Sequence, residues 1–278
     1  MARAIAVDER RGEVRRAASR LAFGLLWLPG GLLLLFILLP LLRMASAQSG
    51  ASMASVAAMP DVRDAIVLSL WTAGVTAVVA AVLGTPLAYF LARGNGWPRR
   101  LTEAVVDLPL AVPHTVAGIA LLFVFGRRGV IGALFAPMGI EFWGTAAGIV
   151  VAMLFVSAPF MVNAARLGFA AVDPRLEKVA RTLGASAFEV FYRVDLPLAW
   201  RGIATGAVLT YARSISEIGA VMVLAYYPMT APVKIYDLYL QTGLRESSAA
   251  AVLLLAVTLS TFLLLRRMVD AHSRHEGR

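Results

Sequence analysis

Apolar and polar positions in this chain fall into long blocks, not into the short alternations of a soluble core. Six apolar runs, at 22–44, 65–92, 101–126, 145–165, 198–225 and 249–266, are separated by charged stretches. A helix needs about 20 apolar residues to cross a bilayer, and in lipid a helix satisfies its own backbone. The pattern therefore predicts an all-α membrane protein with six transmembrane helices. They form one transmembrane domain over 1–278, with a polar N-terminal tail at 1–21 and a core at 65–269.

One block breaks the pattern. Val172 to Pro197, VDPRLEKVARTLGASAFEVFYRVDLP, is a charged island whose spacing predicts two short helices. Asp173 suits an N-cap and Pro174 the first helical position, where no N–H is needed. Leu176, Val179, Ala180 and Leu183 then make one apolar stripe, with Arg175, Lys178 and Arg181 off it. Gly184 stands where a helix end needs a left-handed residue. Ser186 and Glu189 have capping-box spacing and start the second helix, which carries Phe188, Phe191 and Tyr192. On pattern alone the island is either an amphipathic connector resting on lipid or a docking element.

Composition narrows the function. The hydrophobic fraction is 59% and the mean hydropathy +0.76, with no polar stretch large enough for a catalytic domain. The absence of cysteine excludes disulfides, thiol catalysis and Cys metal sites. Of three histidines, two lie in the C-terminal tail, which leaves little for a His-based metal or catalytic centre. No Gly-x4-Gly-Lys-Ser/Thr phosphate loop occurs, so energy from ATP would have to come from a partner.

The net charge of +9 invites a nucleic-acid reading, but the basic residues punctuate the spans instead of forming a patch. With the N-terminus in the cytoplasm, nineteen Arg and Lys fall inside and six outside, with Arg213 within the fifth run. The positive-inside rule then places both termini and the Val172–Pro197 loop in the cytoplasm. The outer segments hold Arg43, Arg63, Arg127, Arg128, Lys234 and Arg245 against Asp61, Asp64, Glu141, Asp237 and Glu246. That near-neutral balance argues against an electrostatic funnel.

Polar residues within the spans are costly in lipid and normally face the bundle interior. The third run carries Asp107, Pro109, Pro113, His114 and Thr115, and its prolines predict a kink. His114 is either a hydrogen-bonded interior histidine or a donor lining a pathway. In the fifth run Arg213 and Glu217 are spaced to pair, and Ser214 and Ser216 offer hydroxyls to a passing solute. Glu217 alone would repel an anion, so its expected state is structural or neutralised.

These motifs resemble a known family. Gly184, nine residues, then Val194-Asp195-Leu196-Pro197 resembles the G-x9-I-x-L-P half of the EAA loop of ATP-binding-cassette (ABC) importer permeases. Val194 replaces Ile. The E-A-A positions fall on Lys178, Val179 and Ala180, so only the last alanine is kept and Glu177 stands one residue early. The runs DLPLAVPHTVAGIALL, GIVVAMLFVSAPFMVNAARLGFAAVD, LEKVARTLGAS and ARSISEIGAVMVLAYYPMTAP are similar to molybdate/tungstate permeases across Ala65 to Tyr239. Sulfate permeases share much of this, although Tyr226-Tyr227-Pro228-Met229 is nearer the molybdate/tungstate branch.

The resemblance implies a type I ABC importer permease fold of the inner membrane, working as a homodimer with its pathway at the subunit interface. ATP and Mg would be bound by a partner ATPase subunit and no cofactor by this chain. An extracytoplasmic binding protein would deliver a tetrahedral oxyanion. The ATPase-coupling residues would be Arg175, Leu176, Glu177, Lys178, Val179, Ala180, Leu183, Gly184, Val194, Leu196 and Pro197. The pathway residues would be His114, Thr115, Ser214, Ser216 and Glu217. Competing readings are a sulfate/thiosulfate permease, a secondary transporter that needs no ATPase, and a membrane scaffold. Charges that fail to pair into an inverted repeat weigh against the secondary transporter. Polar, proline-bearing spans weigh against the scaffold.

Overall fold

The computed structural model describes residues 27–275, and every regular element among them is helical. The N-terminal tail at 1–21 lies outside the described residues. The chain divides into two units, 1–50 and 51–278. In the first, α1 (Trp27–Ser46) is apolar and long enough to cross a bilayer.

The second unit is organised around three helices that pack on one another: α3 (Pro60–Arg93), α7 (Ala146–Ala170) and α10 (Leu196–Ile215). Between Val62 and Leu91, which are buried near its two ends, the buried face of α3 is made of small and hydroxyl residues: Ala65, Ser69, Thr72, Ala73, Thr76, Ala77, Ala80, Gly84, Thr85 and Ala88. Large apolar residues of this helix, Val67, Trp71, Val78, Val82, Leu83 and Phe90, point outward. This inversion of a soluble core follows from the solvent. Lipid is as apolar as leucine, so helices gain by close backbone approach over small residues. The buried threonines return their hydroxyls to carbonyls of their own helix, as Thr76 does to Thr72 at 2.8 Å. α7 crosses α10 closely, and a Cβ on Gly202 would lie 2.6 Å from Gly168 Cα. Only hydrogen fits there.

Two expected spans are broken. The third apolar run is two helices, α4 (Gly96–Ala111) and α5 (His114–Phe125). Proline cannot donate, and it pushes the residue before it out of the helical region. Val112 is accordingly extended, at φ −81° and ψ 128°. Pro109 sits within α4 without ending it, so Pro113 alone makes the break. The fifth run divides at Ser216–Ile218 into α10 and α11 (Gly219–Leu224). Sequence periodicity shows such runs as continuous because the intervening residues are few.

Further helices were not anticipated. α2 (Gly50–Ala57), α6 (Val130–Phe135) and α12 (Ala231–Thr242) lie in stretches expected to be connecting loops. Lys234 of α12 reaches Asp61 at 2.6 Å, which docks α12 on the start of α3, and lies 3.4 Å from Asp237 of its own helix. The charges that pin this helix are what hid it from an apolarity scan. The last helix, α13 (Leu244–His275), outruns the expected 249–266 at both ends. α1, α3, α7 and residues Leu244–Val269 are each uninterrupted and apolar enough to span a bilayer. The apolar stretch His114–Met138 is long enough too, but it is interrupted at 126–129. α10 has 20 residues and carries Arg201 and Arg213, so the count of six rests on a helix less apolar than the others.

Candidate functional site

The polar island folds as its spacing predicts, up to its last turn. α8 (Pro174–Thr182) is capped by Asp173, whose carboxylate accepts from the Arg175 N–H at 2.9 Å. It ends in a Schellman arrangement: Ala185 N–H donates to Ala180 O and Gly184 N–H to Arg181 O, both at 3.0 Å. Gly184 has φ +93°, a conformation that a side chain disfavours. The second helix, α9 (Ala187–Val190), starts with a complete Ser186–Glu189 capping box. It does not stop before Pro197. A π-turn over Phe191–Asp195 carries it directly into α10. Pro197 lacks an N–H, and its ring would strike the carbonyl four residues back, so the helix widens just before it.

The apolar stripe of α8 is left bare. Leu176, Val179 and Leu183 are 46%, 57% and 83% exposed, and no residue of α8 is buried. Arg175 and Lys178 are exposed beside them, and Ala180 is half-buried. Glu177 turns the other way. Its carboxylate meets the Arg93 guanidinium at the end of α3. The Glu177 carboxylate, implied by the resemblance to be among the coupling residues, is engaged within the chain. In the exit segment Val194 and Leu196 are half-buried and Pro197 is exposed, while Asp195 between them is fully buried. The loop rests on the bundle through Phe191, whose ring meets Tyr89 edge-on at 5.0 Å.

The second candidate region lies where both broken spans meet. His114 opens α5, Arg213 sits in the last turn of α10, and Glu217 occupies the break after it. Glu217 is 1% exposed, and both its oxygens are used. Oε1 accepts from the Ala220 N–H at 2.9 Å, and Oε2 from Arg213 Nη2 at 3.0 Å with His114 Nδ1 at 2.7 Å. Arg213 Nη2 also lies 3.1 Å from each ring nitrogen of His114, and Nη1 donates to Ser216 Oγ at 3.3 Å. A Cβ on Gly219 would lie 2.5 Å from His114 Cβ, so the absence of a side chain lets α11 approach α5 this closely.

This cluster hides its carboxylate and leaves its basic side chains partly open. The carboxylate is buried and paired, whereas the side chains of Arg213 and His114 remain 23% and 44% exposed. Thr115 and Ser216 are also exposed. Ser214 does not join them. It is fully buried, with its hydroxyl donated to Ser157 Oγ at 3.0 Å, so it packs α10 on α7 instead of offering a free hydroxyl. Two arginines have partners that spacing alone does not reveal. Arg213, spaced to pair with Glu217, also meets His114, and Arg93, one of the basic residues of its side, meets Glu177 and Asp195. Among the described residues no group of three or more His, Asp or Glu is placed to hold a metal ion.

Residues 84–275 match the family of binding-protein-dependent transport system inner membrane components. The chain belongs to that family. The permease is 46% identical over 210 residues to the molybdate/tungstate transport system permease protein WtpB of Thermococcus kodakarensis, covering 76% of this chain and 80% of that one. A probable sulfate transport system permease protein cysT of Chlorokybus atmophyticus is 34% identical over 231 residues, covering 82% and 81%. In fold the permease is similar to a bacterial alginate ABC transporter crystallised in complex with an alginate pentasaccharide-bound periplasmic protein. That likeness has a TM-score of 0.67 at 17% identity, over 87% of this chain and 93% of that one. The permease therefore has the type I ABC importer fold, as its EAA-like loop implied. It is a multi-pass membrane subunit for transport and not an enzyme.

Proposed function

We propose that the permease forms the translocation pathway of an ATP-driven importer for a tetrahedral oxyanion, molybdate or tungstate. The observation that carries this reading is the cluster at the paired helix breaks. Its exposed side presents a guanidinium, an imidazole and the Thr115 hydroxyl, while its carboxylate is turned inward. A dianion meets donors there, and the pairing of Arg213 with Glu217 keeps the site from becoming a trap. The identity to molybdate/tungstate permeases supports the choice of oxyanion over the less similar sulfate relative.

In this reading two copies of the chain face each other across the pathway in the inner membrane. The bare Leu176/Val179/Leu183 stripe docks on an ATPase subunit that binds ATP and Mg, and this chain binds no cofactor itself. A binding protein delivers the oxyanion from the other side. Both termini and Gly184 are cytoplasmic and Pro228 is outside, as the basic asymmetry requires. Single cysteines in this cysteine-free chain test the topology with an impermeant thiol reagent: Pro228→Cys is labelled in intact cells and Gly184→Cys is not. The function is tested by reconstituting the permease with its ATPase and candidate binding proteins and measuring uptake of labelled tungstate, molybdate and sulfate. Uptake of tungstate or molybdate in preference to sulfate supports the reading. Sulfate alone would move the assignment to the sulfate branch, and uptake without ATP would remove the importer reading altogether.

A further inference from the structure

Arg93 is the last residue of α3, and its guanidinium gathers three points of the loop. It donates to the Val172 carbonyl, where the chain enters the loop, at 3.3 Å. It pairs with Glu177 on α8 and, at 3.2 Å, with Asp195, where the chain leaves toward α10. Only arginine, with its planar fork of five donors, suits such convergent acceptors. Asp195 is fully buried and would by itself balance the charge of Arg93. A second carboxylate makes the cluster net negative, which charge neutralisation does not require. Glu177 therefore has a geometric role. α8 contributes no buried residue, so its apolar side chains do not hold it against the bundle. The Glu177–Arg93 bond is a tie that does.

We propose that Arg93 is a positioning residue that latches the coupling helix to the bundle, so that α8, α3 and the start of α10 move as one body when the ATPase moves α8. A displacement of α8 is then passed to α3, a helix of 34 residues or about 51 Å, and to α10, which carries Arg213 at its far end. Without the latch, α8 could follow the ATPase while the bundle stayed still. This inference rests on the importer reading above.

The test uses the complete importer in lipid vesicles, with permease, ATPase and tungstate-loaded binding protein. Two readouts are taken: hydrogen exchange of the α8 amides, and stimulation of ATP hydrolysis by the loaded binding protein. Glu177→Gln keeps the buried Arg93–Asp195 pair and cuts only the tie to α8. It is expected to co-purify with the ATPase like the native chain. Its α8 amides exchange about tenfold faster, the scale of one weakened ion pair out of full contact with water, and stimulation falls by about the same factor. The neutral pair Arg93→Gln/Asp195→Asn gives the same losses, and adding Glu177→Gln to it gives no more, because all three act through one cluster. Arg93→Lys restores part of the stimulation, since a point cation cannot span three acceptors.

Native exchange and native stimulation in Glu177→Gln would overturn the latch. So would loss of ATPase binding in that variant, because Glu177 would then be a direct contact. If the neutral pair fails to insert, Glu177→Gln alone decides by the same criteria. If the native complex shows no stimulation, that failure counts against the importer reading, and α8 exchange alone decides the latch.

Discussion

Two arginines hold buried acids in this permease, and they do so at opposite ranges. Arg213 pairs with Glu217 four residues on, within one broken helix. Arg93 reaches Asp195, 102 residues away, and Glu177 between them. The first arrangement is local in sequence and closes around a single carboxylate, leaving donors on its outer side. The second is spread over three segments and leaves an apolar helix face bare. A short-range pair can neutralise a charge inside lipid, but only a long-range one can make separate elements move together. In the reading proposed above, the first arrangement serves a pathway for the solute and the second a lever for an ATPase.

The largest expected effect comes from breaking the local pair. Arg213→Ala leaves the Glu217 carboxylate buried without its cation, a change that costs about 3–5 kcal/mol. Folded permease in detergent should fall sharply, seen as aggregation in size-exclusion chromatography. Arg213→Ala/Glu217→Ala should recover most of the folded yield yet transport little tungstate, because the guanidinium is gone from the donor face. Full uptake by the double variant would make the cluster purely structural.

Next in size is the bare face of α8. Leu176→Asp/Leu183→Asp replaces exposed residues, so intrinsic stability should change by no more than about 0.5 kcal/mol per site. Co-purification of the ATPase should nevertheless be lost, since burying a leucine at an interface contributes about 1.5–3 kcal/mol. A stability loss with ATPase retained would mean the stripe packs within this chain.

Gly184 gives a smaller effect. Its Cβ direction is open, so Gly184→Val meets no clash and suffers only from φ +93°, about 1 kcal/mol or somewhat more. The spans should insert normally and thermal unfolding of the bundle should be unchanged. Coupled ATP hydrolysis should fall, and native coupling would show that the turn is not needed to present α8.

The smallest effect concerns the capping box. The Ser186 backbone N–H and hydroxyl hold the Glu189 carboxyl below its ordinary value of 4.5. A depressed acid stabilises above its unfolded value and loses that contribution as pH falls through the folded one. Protection of the Ser186 amide in hydrogen exchange, corrected for intrinsic rate, should thus hold from pH 7 to about 5 and decline below 4.5. Glu189→Gln should abolish this pH dependence, and a persisting decline would assign it to another acid.

Local chemistry made much of the coupling loop legible from sequence. Asp173, Pro174, Gly184, Ser186 and Glu189 occupy the cap and turn positions that their residue types favour, because capping is decided within a few residues. Ser214 was misread for the opposite reason. Whether a hydroxyl faces a pathway or a neighbouring helix depends on which side of α10 packs on α7, and hydroxyls on either side look alike in one dimension. The inward turn of Glu177 was hidden in the same way, since its partner lies on another helix.

The sequence by itself determined that this chain is helical and membrane-spanning, which residues cap its loop, and that Arg213 and Glu217 can pair. These follow from composition, from a period of 3.6 residues and from contacts four residues apart, all of which are properties of short segments. Tertiary structure alone decided that two spans break side by side, that His114 joins the Arg213–Glu217 pair, and that Arg93 binds both ends of the loop. His114 meets the pair because Gly219 lets α11 come close to α5, and Arg93 meets the loop because α3 packs on α7 and α10. A buried charge takes whichever partner packing brings within about 3 Å, and packing brings together residues that the sequence keeps far apart.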